Sequence, residues 1–62
     1  EAKAKQIVEK AAGTTGVYSE FKLELDDGRA LYEGELRSGA MEYEFEIDAV
    51  TGAIVDWEAD RD

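Results

Sequence analysis

Carboxylates are the only abundant reactive groups in this chain: sixteen Asp and Glu stand against seven Lys and Arg, with no His and no Cys among 62 residues. That inventory restricts the chemistry at once. Nucleophile–base pairs and imidazole or thiolate metal sites need residue types that are missing. Ser19 and Ser38 lack a base partner and read as an inward packing position and a turn residue. Paired carboxylates can do acid–base work, but only where a cleft buries one of them and raises its pKa. A calcium site needs six to eight oxygens converging on one point. The expectation is a non-enzymatic chain without a cofactor, which binds through its charge.

The elements that must position these carboxylates follow from periodicity. Over residues 1–12, Ala4, Ile7, Val8 and Ala11 recur at the spacing of one helical face, and Gly13 supplies the stop. A helix this short is marginal alone and must pack its apolar stripe on another element. From Val17 the period becomes two: Val17, Ser19, Phe21, Leu23 and Leu25 share one face, and Tyr18, Glu20, Lys22, Glu24 and Asp26 the other. Asp27-Gly28 is a two-residue hairpin signal. It pairs Asp26 with Arg29, Leu23 with Tyr32, Phe21 with Gly34 and Ser19 with Leu36. A second turn at Ser38-Gly39 pairs Leu36 with Met41, Gly34 with Tyr43, Tyr32 with Phe45 and Ala30 with Ile47.

Both turns put the apolar residues of three strands on one face, and a one-residue slip at either would destroy the match. A fourth strand over about Ala53 to Trp57 pairs Ile47 with Val55 and Phe45 with Trp57 if Gly52 forms a bulge. A four-residue loop there would reverse the parity and bury Ile54. Residues 58–62 read as frayed. The predicted fold is α+β: one N-terminal helix packed on a four-stranded antiparallel meander sheet, a single domain over residues 1–62.

That register crowds the polar face. Glu20, Glu35 and Glu42 form one row across three strands, and Lys22, Glu33 and Glu44 the next. Like charges directly opposite are destabilising unless a cation is near. Tyr32, Tyr43, Phe45 and Trp57 lie on the face the helix covers and read as core. Tyr18 and Leu31 point outwards beside Arg37 and Glu24, as the exposed apolar atoms for a partner contact. The candidate protein- or cation-binding face is therefore Glu20, Glu33, Glu35, Glu42 and Glu44 with Tyr18 and Leu31.

The net charge of −9 is unevenly spread. Residues 1–16 hold Lys3, Lys5 and Lys10 against Glu1 and Glu9, so the whole excess of acid lies in residues 17–62. Nucleic-acid binding is excluded as a reading, since it needs cations to replace phosphate counterions. No apolar run is long enough for membrane insertion by this segment. Basic proteins, and weak binding of divalent cations, remain as partners. A first residue of Glu suits an excised domain or a processed product.

One family pattern matches these features in order. The Ala2-Lys3-Ala4-Lys5 opening, the Asp26-Asp27-Gly28-Arg29 turn, Tyr32, the Tyr43–Ile47 strand and Asp48-Ala49-x-Thr51-Gly52 resemble the PepSY domain, a module of secreted metallopeptidase propeptides and cell-envelope proteins. Gly34 departs from it, standing where the family usually has a branched apolar residue. The resemblance implies an extracytoplasmic interaction module that restrains or assists a peptidase or tethers an envelope protein, with no catalytic or metal residues to carry over. The alternatives of a different class are an acidic module responding to cations, and a charge mimic that binds a basic protein.

Overall fold

The computed structural model describes residues 1–61. Helix α1 (Ala2–Ala12) leads into four strands, β1 (Val17–Asp26), β2 (Arg29–Ser38), β3 (Met41–Asp48) and β4 (Ile54–Arg61). They form one antiparallel sheet in the order β1-β2-β3-β4, the α+β meander that the periodicity predicts. Helix α1 stops at Gly13, whose φ of 75° is the left-handed conformation a helix end favours. Strand β4 is longer than the sequence suggests: residues 58–61 are paired, with Glu44 opposite Glu58 and Met41 opposite Arg61, and are not frayed. Asp62 lies outside the described residues.

The first hairpin has the predicted register. Asp27 (φ 50°) and Gly28 (φ 76°) are both left-handed, as a type I′ turn requires. The second turn is displaced by one residue: Gly39 and Ala40 are its central pair, and Ser38 faces Met41. Gly39 carries the positive φ of 60°, and the hairpin turn with a single positive φ places glycine first and not second. Every pair between β2 and β3 therefore shifts by two. Leu36 faces Tyr43, Gly34 faces Phe45 and Tyr32 faces Ile47, so the faces survive while the partners change.

Two bulges alter the ends. In β1 the pairing jumps from Tyr18–Leu36 to Glu20–Glu35, leaving Ser19 as the extra residue. This turns Tyr18 inward and leaves Val17 and Ser19 exposed, the reverse of the expected assignment. Between β3 and β4, Phe45 faces Trp57 as expected, but Ile47 faces Ile54 because Val55 is extra. Four residues lie between Asp48 and Ala53, with the Asp48 amide donating to the Ala53 carbonyl at 2.8 Å, and the bulge restores the parity that brings Trp57 inward.

The core consists of Val8 of α1 with Leu36, Phe45 and Ile47, flanked by Ile7, Ala12, Tyr18, Phe21, Tyr32, Tyr43 and Trp57. Ala4 is buried, whereas Ala11 is exposed and Ala12 takes its place at the core's edge. Gly34 makes room for this layer. A Cβ there would lie within 3 Å of both the Glu20 carbonyl and the Phe45 ring, so no larger residue fits without moving β1. Eleven helical residues span about 16 Å at 1.5 Å each, and ten strand residues about 33 Å. The helix thus covers only part of the inner face. Leu23 and Leu25 belong to that face by alternation yet stay exposed, Leu25 to 80%.

Candidate functional site

The outer face of the sheet carries the carboxylates, in rows longer than the sequence register gives. Glu20 faces Glu35, which faces Glu44, which faces Glu58. The next row runs Lys22, Glu33, Glu46, Asp56. The two-residue shift thus replaces Glu42 by Glu44 in the first row and Glu44 by Glu46 in the second. Glu42 instead stands beside Arg37, whose Nη2 donates to Glu42 Oε2 at 2.7 Å. Glu46, Asp56 and Glu58 are members that the sequence reading missed, and Asp60, opposite Glu42, is a further carboxylate of this face. The alternation Asp56-x-Glu58-x-Asp60 was the available signal, hidden by reading the end of the chain as frayed.

Tyr18 and Leu31 do not supply exposed apolar surface. Tyr18 is drawn inward by the Ser19 bulge, edge-on to Phe21 (5.5 Å) and Phe45 (6.2 Å). Its hydroxyl donates to Glu9 Oε2 at 2.9 Å and lies 3.3 Å from the Lys5 carbonyl, which fastens α1 to β1. Burial and that bond to Glu9 push its ionisation well above the usual tyrosine range. Leu31 does belong to the outer face, between Glu24 and Asp48 in the register, but it is only 8% exposed. Alternation assigns a side chain its face; it does not say what neighbouring stems cover.

Six carboxylates, Glu20, Glu33, Glu35, Glu44, Glu46 and Asp56, surround a shallow depression of about 230 Å³ in this face. Lys22 is its cation, reaching Glu20 at 3.4 Å, Glu24 at 3.7 Å and Glu33 at 3.9 Å. The hydrogen bond to Glu20 and the charges of Glu24, Glu20 and Glu33 hold the Lys22 ammonium above its ordinary pKa. Among the described residues Glu44 and Glu58, at the other end, form no ion pair. Desolvation, then the charges of Glu58 and Glu35, raise the pKa of Glu44. Desolvation and Glu24 raise Glu33, against the opposing pull of Lys22. The side chains stand in parallel and do not converge: among the described residues no three acidic groups come together as a metal-holding cluster. The arrangement can attract and orient a distributed positive surface, which needs parallel and not convergent charge.

The Asp48–Gly52 turn is structural. Asp48 Oδ1 accepts from the amides of Val50 (2.8 Å) and Thr51 (2.9 Å), and Oδ2 accepts from Arg29 Nε at 3.2 Å. Those backbone bonds, with the Arg29 guanidinium, hold the Asp48 carboxyl below its usual range. Arg29, expected to serve Asp26, is therefore the partner of Asp48.

The chain thus sets a helix over a four-stranded meander, with an Asp-Ala-x-Thr-Gly turn that pins its own backbone between β3 and β4. The chain belongs to the PepSY family: the family model described as peptidase propeptide and YPEB domain matches residues 1–58. PepSY domains are generally non-catalytic propeptide or regulatory modules of peptidases and envelope proteins, typically secreted or held in the cell envelope. No curated protein and no solved structure matches the chain. No helix among the described residues is long and apolar enough to cross a membrane.

Proposed function

We propose that this PepSY domain is a non-enzymatic, extracytoplasmic docking module, and that its outer sheet face seats a basic surface of a peptidase or envelope protein. The observation that carries this reading is the Glu20–Glu35–Glu44–Glu58 row, four carboxylates spanning all four strands, in which Lys22 pairs with Glu20 at the β1 end. Holding such a row together costs free energy in the isolated domain. A basic partner converts that cost into attraction and accelerates encounter. The absence of His and Cys from the sequence, and the openness of the acidic face, support binding over catalysis. Docking there would restrain or assist a peptidase, or tether an envelope protein.

The test is inhibition and binding in trans against a secreted metallopeptidase encoded with or beside this domain. Glu35→Gln/Glu44→Gln/Glu58→Gln should weaken binding about tenfold at low salt, and the wild-type affinity should fall steeply with NaCl. Binding that is indifferent to both the triple variant and salt would overturn the acidic face as the docking surface. Stabilisation of the wild type by calcium but not by sodium at equal ionic strength would favour the cation-responsive alternative instead.

A further inference from the structure

The acidic face leaves the opposite side of the molecule unexplained. There a groove of about 520 Å³ runs between one side of α1 and the Asp48–Gly52 turn, with Tyr32 and Ile47 contributing to its lining. The size lies within the range of ligand sites on proteins. Its walls are firm. Gly52 donates its amide to the Asp48 carbonyl at 2.8 Å, and Ala49 donates to the Ala30 carbonyl at 2.9 Å. Gly52 lies against Ile7, whose Cδ1 is 3.2 Å from where a Cβ would stand. At the rim, Val50 is 85% exposed on a turn whose amides are fixed by Asp48.

The lining of this groove carries two carboxylates and two lysines, so it has none of the chain's acidic excess. Its two carboxylates are engaged, Glu1 with Lys5 at 3.7 Å and Asp48 with Arg29 and the turn amides. Its two cations, Lys3 and Lys10, have no ion pair among the described residues. Helix α1 also begins without a side-chain cap hydrogen bond and with no acidic residue in its first turn. In a protein of net charge −9, an apolar groove with free cations along its edge selects for anions attached to apolar groups.

We infer that this groove binds an extended peptide segment of the pattern acidic–x–apolar–x–acidic, a second docking site distinct from the acidic face. Lys3 and Lys10 are seven residues apart on α1, about 10 Å along its axis. In an extended strand, residues four apart lie about 13 Å apart on the same side, a distance the lysine side chains readily match. The apolar residue midway projects to that same side, over Ile7 and Val50. The domain then joins two partners of opposite charge, one on each side of its sheet.

The test is a titration of the isotope-labelled 62-residue chain with a capped Glu-Ser-Leu-Ser-Glu peptide, followed by amide NMR shifts. Shifts are expected at Ile7, Val50, Thr51 and Gly52 and not along the acidic rows. Lys3→Gln/Lys10→Gln, both exposed positions, should weaken binding at least about fivefold, the scale of two exposed ion pairs. A Lys-Ser-Leu-Ser-Lys peptide should leave the groove amides unmoved, and Leu→Ser in the acidic peptide should weaken binding. Glu44→Gln should leave the acidic peptide's affinity unchanged, which separates this site from the acidic face. An absence of shifts at millimolar peptide, shifts confined to the outer face, or indifference to the double lysine variant would each overturn the inference.

Discussion

The two faces of this sheet are built from the same strands by the same alternation, yet they are held by different physics. On the inner face, Leu36, Phe45 and Ile47 are sealed by Val8 and Ala4 of a single short helix. On the outer face no second layer packs on the sheet among the described residues, and four carboxylates stand in one row with Lys22 serving their β1–β2 end. The inner face supplies nearly all the favourable burial available to a chain of this size. The outer face draws on that stability. The proposed docking role rests on this asymmetry between a closed face and an exposed acidic one. The inner face repeats the contrast on a smaller scale: beyond the reach of α1, Leu23 and Leu25 remain open.

The largest expected effect breaks the covered part of the inner face. Phe45→Ala removes the ring at the centre of the core and should cost about 3–5 kcal/mol, enough to leave little folded protein in a domain this small. Leu25→Ala, on the same face but beyond the helix, should change stability by no more than about 0.5 kcal/mol. Urea unfolding of both variants checks the contrast. A Leu25 variant as damaging as the Phe45 one would mean that the open end is covered in solution, and the distinction between the two ends would collapse.

The inner face was legible because it is determined by parity. Asp27-Gly28 and a second glycine turn, each two residues long, place Phe21, Tyr32, Leu36, Tyr43 and Phe45 on one side whichever residue opens the second turn. What parity does not contain is a shift of two, which keeps each face and exchanges the partners. Hence the β2 and β3 part of the core is legible, whereas Val17, Leu23 and Leu25, expected inward, are exposed, Tyr18 is drawn inward, and the acidic row is misassembled, with Glu42 standing in for Glu44. The bulges at Ser19 and Val55 were invisible for a different reason. Each is selected by long-range contacts, Tyr18 with Glu9 of the helix and Trp57 with Tyr43 across β3 and β4, which no local pattern encodes. The groove escaped similarly, since it forms between one side of α1 and the Asp48–Gly52 turn, which only the folded chain brings together.

An intermediate effect tests how the two layers are fastened. Tyr18→Phe keeps the ring against Phe21 and Phe45 but deletes the hydroxyl that donates to Glu9. The loss should be about 1 kcal/mol, that of one hydrogen bond to a charged acceptor at a partly exposed site. Amide exchange should show it first in α1, whose attachment to β1 runs through this contact. Uniform loss of protection over the whole sheet would instead mean that helix and sheet open only together.

The smallest effect lies on the outer face, and its sign runs against that of the Asp48 turn. Glu33 and Glu44 have folded pKa values above their ordinary 4.5, so their ionised forms penalise the fold. That penalty is present above the folded values, diminishes as pH falls through them, and is gone below 4.5. Asp48 is opposite: its pKa is lowered from 3.8, so its contribution is complete above 3.8 and is lost as pH falls through its folded value. Between 4.5 and 3.8 the glutamate penalty has been relieved while Asp48 still contributes in full. The Tm should therefore climb as pH is lowered from 7, be highest in that interval, and drop below it. Added NaCl at pH 7 should raise the Tm by screening the row. Glu44→Gln should melt higher than wild type at pH 7, and the gap should close as pH approaches 4.5, where the wild-type carboxyl also becomes neutral. A Glu44→Gln variant that melts below wild type at pH 7 and low salt would show that Glu44 has a cationic partner. The outer face would then be a stabilised surface like the inner one, and its claim to be reserved for a partner would fail.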